Sequence, residues 1–277
     1  MGNVALVSEH LGGPLTIVPT REGDAWWDGG DAGTWRVYRF VEGARTLPVV
    51  STAAQAAEAG RAVGEFHRRT ADLSSERLAV TLPRFHDPAH RFEAFTDAVE
   101  RDSAGRRSSC RAEVDALFAH RSLLEVVPGL LTRVAHNDAK LDNVLFDVAG
   151  DRALGLVDLD TVMPGTILWD VGDLVRTATC PAREDEPNVA RVQFRADWFD
   201  ALVAGYLAEA GAVLSGAEIA AIALAGPLVT FEQALRFLTD HVDGDRYYRV
   251  RHPGHNLVRA RTQLRLLDAM LCEHPRR

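Results

Sequence analysis

Five side chains in the middle of the chain have the types and spacing that phosphoryl transfer needs. Within "VAHNDAKLDNVLFD", residues 134–147, Asp138 is followed two positions on by Lys140 and five positions on by Asn143. A second run, "LVDLDT", adds Asp158 and Asp160. Moving a phosphoryl group from ATP to a hydroxyl takes a carboxylate to accept the proton and a cation beside the transferred group. It also takes an amide and a second carboxylate to hold Mg²⁺. Lys140 is the one lysine among 277 residues, all other Lys/Arg positions being arginine. Its retention suits a place that requires a compact, flexible point charge, which a planar guanidinium replaces poorly.

The spacing from His136-Asn137-Asp138 to Asn143 matches the kinase catalytic loop, His-Arg-Asp with an Asn five residues after the Asp. Asp158 then stands where the Asp of the metal-binding Asp-Phe-Gly triplet would be. A His-x-Asp triplet alone says little, since such triplets also sit in turns and helix caps. A metal-hydrolase reading of His136, Asp138, Asp158 and Asp160 stays open, because imidazole and carboxylates suit several divalent ions. It is the weaker reading: no second His stands near, and the ring is better used in orienting the loop.

Composition narrows the class. A net charge of −8 argues against nucleic acid or an anionic membrane as partner, since both select basic faces. Cys110, Cys180 and Cys272 are odd in number and widely spaced, forming neither a metal pattern nor a disulfide framework. This suits a reducing, cytoplasmic setting. The segment "MGNVALVSEHLGG" has no basic leader, Leu6 stands where a myristoylation motif wants Ser or Thr, and the apolar runs read as too short to span a bilayer.

The elements that must position these groups follow from pattern. Residues 15–41 read as strands around a Gly/Asp-rich turn, with Trp26, Trp27 and Trp35 packing the small sheet. From Ser51 the texture turns helical, with a threonine cap before an alanine-rich helix and further helices around 89–100 and 111–127. The centre holds short β-like runs beside the polar clusters. Everything after Thr166 reads as helical apart from the acidic, proline-bearing loop "PAREDEPN", with Gly226-Pro227 expected to bend or break a helix over 216–239.

"HNDAKLDNVLFD", "LVDLDTVMPG" and "WDVGDLVR" resemble the aminoglycoside-phosphotransferase and choline-kinase superfamily, and within it the N-acetylhexosamine 1-kinases. "GTWRVYRFVEGA" resembles that family's strand-and-hinge region, "LPRFHDPAHRFEAF" its following loop, and residues 235–267 its substrate-side segment. The resemblance implies a protein-kinase-like α+β fold, with a truncated small β lobe over residues 1–46 and a mainly helical catalytic and substrate lobe over 47–277. It implies Asp138 as catalytic base and Lys140 as the charge by the γ-phosphoryl, with ATP and Mg²⁺ as cofactors. Asn143 and Asp158 would hold the metal, while Asp160 supports the metal or touches substrate. Phe40, Val41 and Glu42 would form the nucleotide-side hinge, and Arg236 and Tyr247 would reach a sugar. His136 and Asp170 would support the catalytic loop. Asp173, near Arg176 at helical spacing, is either further support or half of a structural ion pair. Arg236 and Asp240, four apart, allow the same bland reading.

The comparison also predicts a departure. The family's small lobe carries a glycine-rich phosphate turn and a strand lysine; here there is no GxGxxG, and the one lysine is already assigned. The expectation is a chain short of its first strands, through a misassigned start, a lost lobe, or a lobe supplied by another chain. Such a chain would bind Mg·ATP weakly, and an exposed sheet edge could drive self-association. The expected activity is phosphorylation of an N-acetylhexosamine at its anomeric hydroxyl. The alternatives are an aminoglycoside, choline or homoserine acceptor, or a silent protein that binds sugar or a partner.

Overall fold

The computed structural model of the chain describes residues 1–13, 16–126 and 129–273. Leu15, in the first expected strand, and Val127, at the end of an expected helix, lie outside the described residues. Helix α1 (Gly2–Leu11) buries Val4, Val7 and Leu11 on the body of the protein. Asn3 fastens it: its amide donates to the carbonyls of Ala79 and Val162 at 2.7 and 2.8 Å, and its Oδ1 accepts from the Ala79 N–H.

Four two-residue strands follow: β1 (Ile17–Val18), β2 (Trp27–Asp28), β3 (Thr34–Trp35) and β4 (Val37–Tyr38). β1 pairs with β4 and β2 with β3, both antiparallel. The tryptophans do not pack a sheet core as expected. Trp27 and Trp35 are direct cross-strand partners but stand 55% and 60% exposed. Strands this short present no inner face to cover an indole, so the rings lie over the turn instead. The Trp35 Nε1–H donates to the Ala32 carbonyl at 2.7 Å.

β5 (Ala44–Arg45) leaves this unit and joins the centre, pairing with β7 (Val144–Asp147), which pairs in turn with β8 (Ala153–Leu156). A second ladder joins β6 (Arg133–Ala135) to β9 (Met163–Gly165). The catalytic-loop sequence therefore spans the gap between β6 and β7, and Asp158 follows β8.

Helices build the rest: α2 (Ala53–Arg69), α3 (Pro88–Arg101), α4 (Arg111–Ala119), α5 (Ile167–Ala178), α6 (Ala196–Ala210), α7 (Gly216–Asp243) and α8 (His255–Glu273). Thr52 caps α2 by accepting from the Gln55 N–H. α2 lies so close to α6 that a Cβ on Gly60 would stand 2.0 Å from the Leu202 carbonyl oxygen, and one on Gly205 2.1 Å from that of Ala57. Only glycine allows backbones to meet there.

α5 packs against α7, which also contacts α3 and α8. α7 opens with a capping box between Ser215 and Glu218 and continues as one helix through Pro227, so of the expected bend or break, the break does not occur. The bond that proline removes belongs to the Ala223 carbonyl, at an exposed residue where water can replace it. Burial on both sides of Pro227 keeps the helix continuous. α7 also exceeds the expectation drawn from short apolar runs. Its length and mean hydropathy of 1.3 would suffice for a membrane crossing, but 67% of that window is buried inside the protein. It is the central core helix.

Candidate active site

The catalytic loop starts from Asp170, one turn into α5 and fully buried. Its carboxylate accepts from two successive backbone N–H groups, those of His136 at 2.8 Å and Asn137 at 2.6 Å. His67 of α2 adds a third bond through Nε2 at 2.9 Å, and its Nδ1 lies 2.8 Å from the Tyr206 hydroxyl of α6. Burial pushes the Asp170 carboxyl up, but the hydrogen bonds from His67 and from the His136 N–H outweigh it and hold it below the usual range. An ionised Asp170 makes His67 Nε2 the donor in that bond, while the Tyr206 hydroxyl can partner Nδ1 in either role. Three helices and the loop thereby share one buried polar network.

His136 is also fully buried, with both ring nitrogens engaged by backbone. Nε2 lies 2.9 Å from the Val157 carbonyl, and Nδ1 accepts from the Asp138 N–H at 3.3 Å. It bridges the loop to the segment before Asp158 and has no lone pair left for a metal. Among the described residues, no three His, Cys, Asp or Glu side chains cluster as a metal site. The metal-hydrolase reading has nothing to build on.

Asp138 follows Asn137, whose φ of 63° turns the chain through the left-handed region. Asp138 Oδ2 accepts from Lys140 Nζ at 2.6 Å and from Asn143 Nδ2 at 3.0 Å. Burial and the neighbouring Asp173 carboxylate push Asp138 upward, against the pull of Lys140. Burial opposes the charge on Lys140, yet Asp138 and Asp173 outweigh it and raise its pKa. The result is a carboxylate more basic than a free one, beside a retained ammonium. That suits a general base facing a hydroxyl.

Asn143 points its amide N–H groups at Asp138, which leaves its Oδ1 for a cation. The Val157 N–H donates to the Asn143 carbonyl at 2.9 Å, bringing Asp158 alongside. The Asp158 carboxylate is exposed and has no hydrogen-bond or ion-pair partner among the described residues; its φ is 66°. A buried amide oxygen and an exposed carboxylate, both hard donors, match Mg²⁺, which keeps waters and takes few protein ligands. Asp160 differs: Arg36, from the link between β3 and β4, pairs with it.

Asp138, Lys140, Asp173, Arg236 and Tyr247 line one cleft of about 490 Å³. Phe40, Val41 and Asp158 line a second cavity of about 320 Å³, with Tyr38 and Leu145; Glu42 is not in its wall. Phe40 is 83% exposed. Asp173 forms a buried ion pair with Arg176 at 2.6 Å, and Arg176 reaches Glu184 at 2.5 Å.

Arg236 does not pair with Asp240, as helical spacing allowed. It lies over the rings of Phe85, Tyr247 and Tyr248, 5.0–6.0 Å from their centroids, and donates to Gln233 Oε1. Asp240 instead accepts the N–H groups of Arg246, Tyr247 and Tyr248 at 2.8–2.9 Å, folding that loop back over the cleft. Sequence reading missed this role, because an acid at i+4 from an arginine carries no sign of a distant loop. His86 in the cleft wall and Glu232 buried behind it, paired with each other, were also missed. The loop around His86 resembled the family, but no spacing singled the residue out.

Residues 14–216 match the phosphotransferase enzyme family. The chain belongs to that family. It is a phosphotransferase that acts on hydroxyl groups. Solved structures share its fold. A choline/ethanolamine kinase family protein from Mesorhizobium loti is 18% identical, with TM-score 0.56, over 99% of this chain and 78% of its own. A spectinomycin phosphotransferase solved with ADP and spectinomycin is 12% identical, TM-score 0.61, over 97% of this chain and 82% of its own. An aminoglycoside phosphotransferase from Alicyclobacillus acidocaldarius is 13% identical, TM-score 0.56, over 98% and 83%. Within this family the phosphotransferase has a protein-kinase-like α+β fold, as expected.

Proposed function

We propose that the chain is an ATP- and Mg²⁺-dependent small-molecule kinase, with an N-acetylhexosamine as acceptor and the anomeric hydroxyl as the phosphorylated position. The observation that carries this reading is the Asp138–Lys140 pair in the wall of an acceptor-sized cleft, with Asn143 bonded to Asp138 behind it. Asp138 accepts the hydroxyl proton through Oδ2. Lys140 exchanges its bond to Asp138 for the charge developing on the transferred group. Asn143, through Oδ1, and Asp158 would hold Mg²⁺, whose charge would offset that of the phosphates.

Residues 1–46 contribute the nucleotide side, with Phe40 and Val41 in the wall of the second cavity, and residues 47–277 the catalytic and acceptor side. Arg236 and Tyr247 hold the sugar: a guanidinium over aromatic rings offers donors for hydroxyl or acetamido oxygens and apolar faces for the pyranose. A second reading, a silent sugar-binding protein, is favoured by the cation supply. Arg36 is engaged by Asp160, and Lys140 is the chain's one lysine.

The test is ADP release from Mg·ATP with a panel of N-acetylhexosamines, aminoglycosides, choline and homoserine, with Asp138→Asn as control. Hexosamine-dependent ADP that disappears in the variant is the expected result. Release with another acceptor class would replace the sugar assignment. None with any acceptor, alongside saturable sugar binding, would favour the silent reading.

A further inference from the structure

His86 sits in the cleft wall just before α3, and its two ring nitrogens meet groups that can only accept. Nε2 lies 2.9 Å from the Asn137 carbonyl oxygen, while Nδ1 lies 3.2 and 3.3 Å from the two oxygens of Glu232 on α7. A carbonyl has no proton to give, and neither has an ionised carboxylate, so the geometry calls for a proton on both nitrogens. The side chains of His86 and Glu232 are 7% and 1% exposed, so water does not compete for either. The Trp169 indole from α5 stacks on the imidazole at 5.1 Å and 11°, fixing the plane of the ring.

The group this ring holds is the peptide that aims the base. The Asn137–Asp138 peptide donates its N–H to His136 Nδ1 and receives His86 Nε2 at its oxygen. One imidazole therefore pins each end of the same peptide plane. Asp170 holds the preceding N–H, and the Asn137 amide donates to the carbonyls of Ala135, Thr161 and Met163. With φ at 63°, Asn137 needs such constraints to stay in place.

We propose that His86 is a positioning residue for phosphoryl transfer, an imidazolium clamped between Glu232 and the Asn137 carbonyl that fixes the direction of the Asp138 carboxylate. The inference rests on the phosphotransferase reading of Asp138. The charged groups facing His86 are Glu232 and Arg236, both from α7; α5 offers the neutral Trp169, the loop before α3 the Phe85 ring, and the catalytic loop a carbonyl. Burial and Arg236 work against the charge, but Glu232 and the Asn137 carbonyl outweigh them and raise the His86 pKa. Because the folded value is raised, the clamp is complete at lower pH and is lost as pH rises through it.

Two measurements on the full chain test this. The first is a ¹⁵N-edited titration of the histidine rings in the absence of any substrate, with His86 assigned by its disappearance in His86→Gln. The expected result is a doubly protonated ring at neutral pH, a midpoint above the ordinary value of about 6.5, and a lower midpoint in Glu232→Gln. A ring already neutral at neutral pH overturns the clamp. This arm needs no acceptor, so it stands even if the sugar assignment fails.

The second is turnover with whichever acceptor supports it. His86→Gln keeps one donor for folding but not the charge, and should lower kcat about tenfold or more while leaving both KM values within about twofold. The alkaline fall in wild-type kcat should track the ring titration and vanish in the variant. A variant that loses only thermal stability, with kcat and its pH profile unchanged, would show a merely structural ring.

Discussion

Lys140 Nζ lies 2.6 Å from Asp138 Oδ2, so the chain's one lysine is held on the carboxylate that the cleft presents to an acceptor. Asn143 Nδ2 completes a three-sided set at 3.0 Å from the same oxygen. An ammonium can exchange one oxygen for another by rotating a flexible stem, while a guanidinium brings a planar fork that this spacing does not fit. Lys140→Met should lower kcat by about 10²-fold, the scale of losing one preorganised charge donor. Lys140→Arg should recover only part of it. Steady-state kinetics of both variants checks this, and an arginine variant equal to wild type would remove the reason for the retained lysine.

Asp170 has a different kind of importance. Asp170→Asn keeps the shape but removes the charge that attracts two backbone N–H groups and His67. Each bond to a charged group contributes about 1.5–3 kcal/mol, so a loss of at least about 2 kcal/mol in unfolding free energy is expected. Denaturant titration measures it. The same variant should lose turnover beyond its loss of folded protein, because the loop carrying Asp138 is released.

Gly172 marks where α5 meets α7. A Cβ there would stand 2.4 Å from both the Ala225 carbonyl oxygen and Val229 Cγ2. Gly172→Ala must push the helices apart, at about 1–3 kcal/mol. Asp170 and Asp173 ride on α5, so kcat should fall along with the melting temperature. Unchanged thermal unfolding would show that the contact relaxes freely.

Acid stability should carry the signature of Glu218. Its side chain is buried within the α7 capping box and 2.6 Å from Arg133. Burial pushes its carboxyl up, but Arg133 and Ser215 outweigh this and bring it from about 4.5 down to about 2. A depressed folded pKa gives stability that is fully present above about 4.5 and lost as pH falls toward about 2. Glu218→Gln should therefore be less stable than wild type at neutral pH, with the gap closing through that window. Chemical denaturation at several pH values checks the sign.

Much of the site was legible because its spacing is local. The β6–β7 loop holds Asp138, Lys140 and Asn143 within six residues, so neither burial nor packing is needed to see them together. The threonine cap of α2 and the helical run after Thr166 were equally readable, since both depend on near neighbours. The errors came where distant contacts overrule local preference. Pro227 stays helical because α7 is buried on both sides of it, and the tryptophans of β2 and β3 are exposed because no second layer covers them. Asp240 gave up its i+4 arginine for three backbone donors that only the folded loop supplies.

By itself the sequence determined the chemistry on offer: which carboxylate, which amide and which single ammonium lie within one loop, and the helical setting around them. Tertiary structure decided how that loop is held. Asp170 reaches it from α5 with His67 of α2 behind it, and His86 reaches it from the cleft wall with Glu232 of α7 behind it. These partners lie 33 to 146 residues apart in the chain. No local periodicity records such separations, because a buried hydrogen bond requires only that its groups meet in space, and the packing of α2, α5 and α7 alone makes them meet.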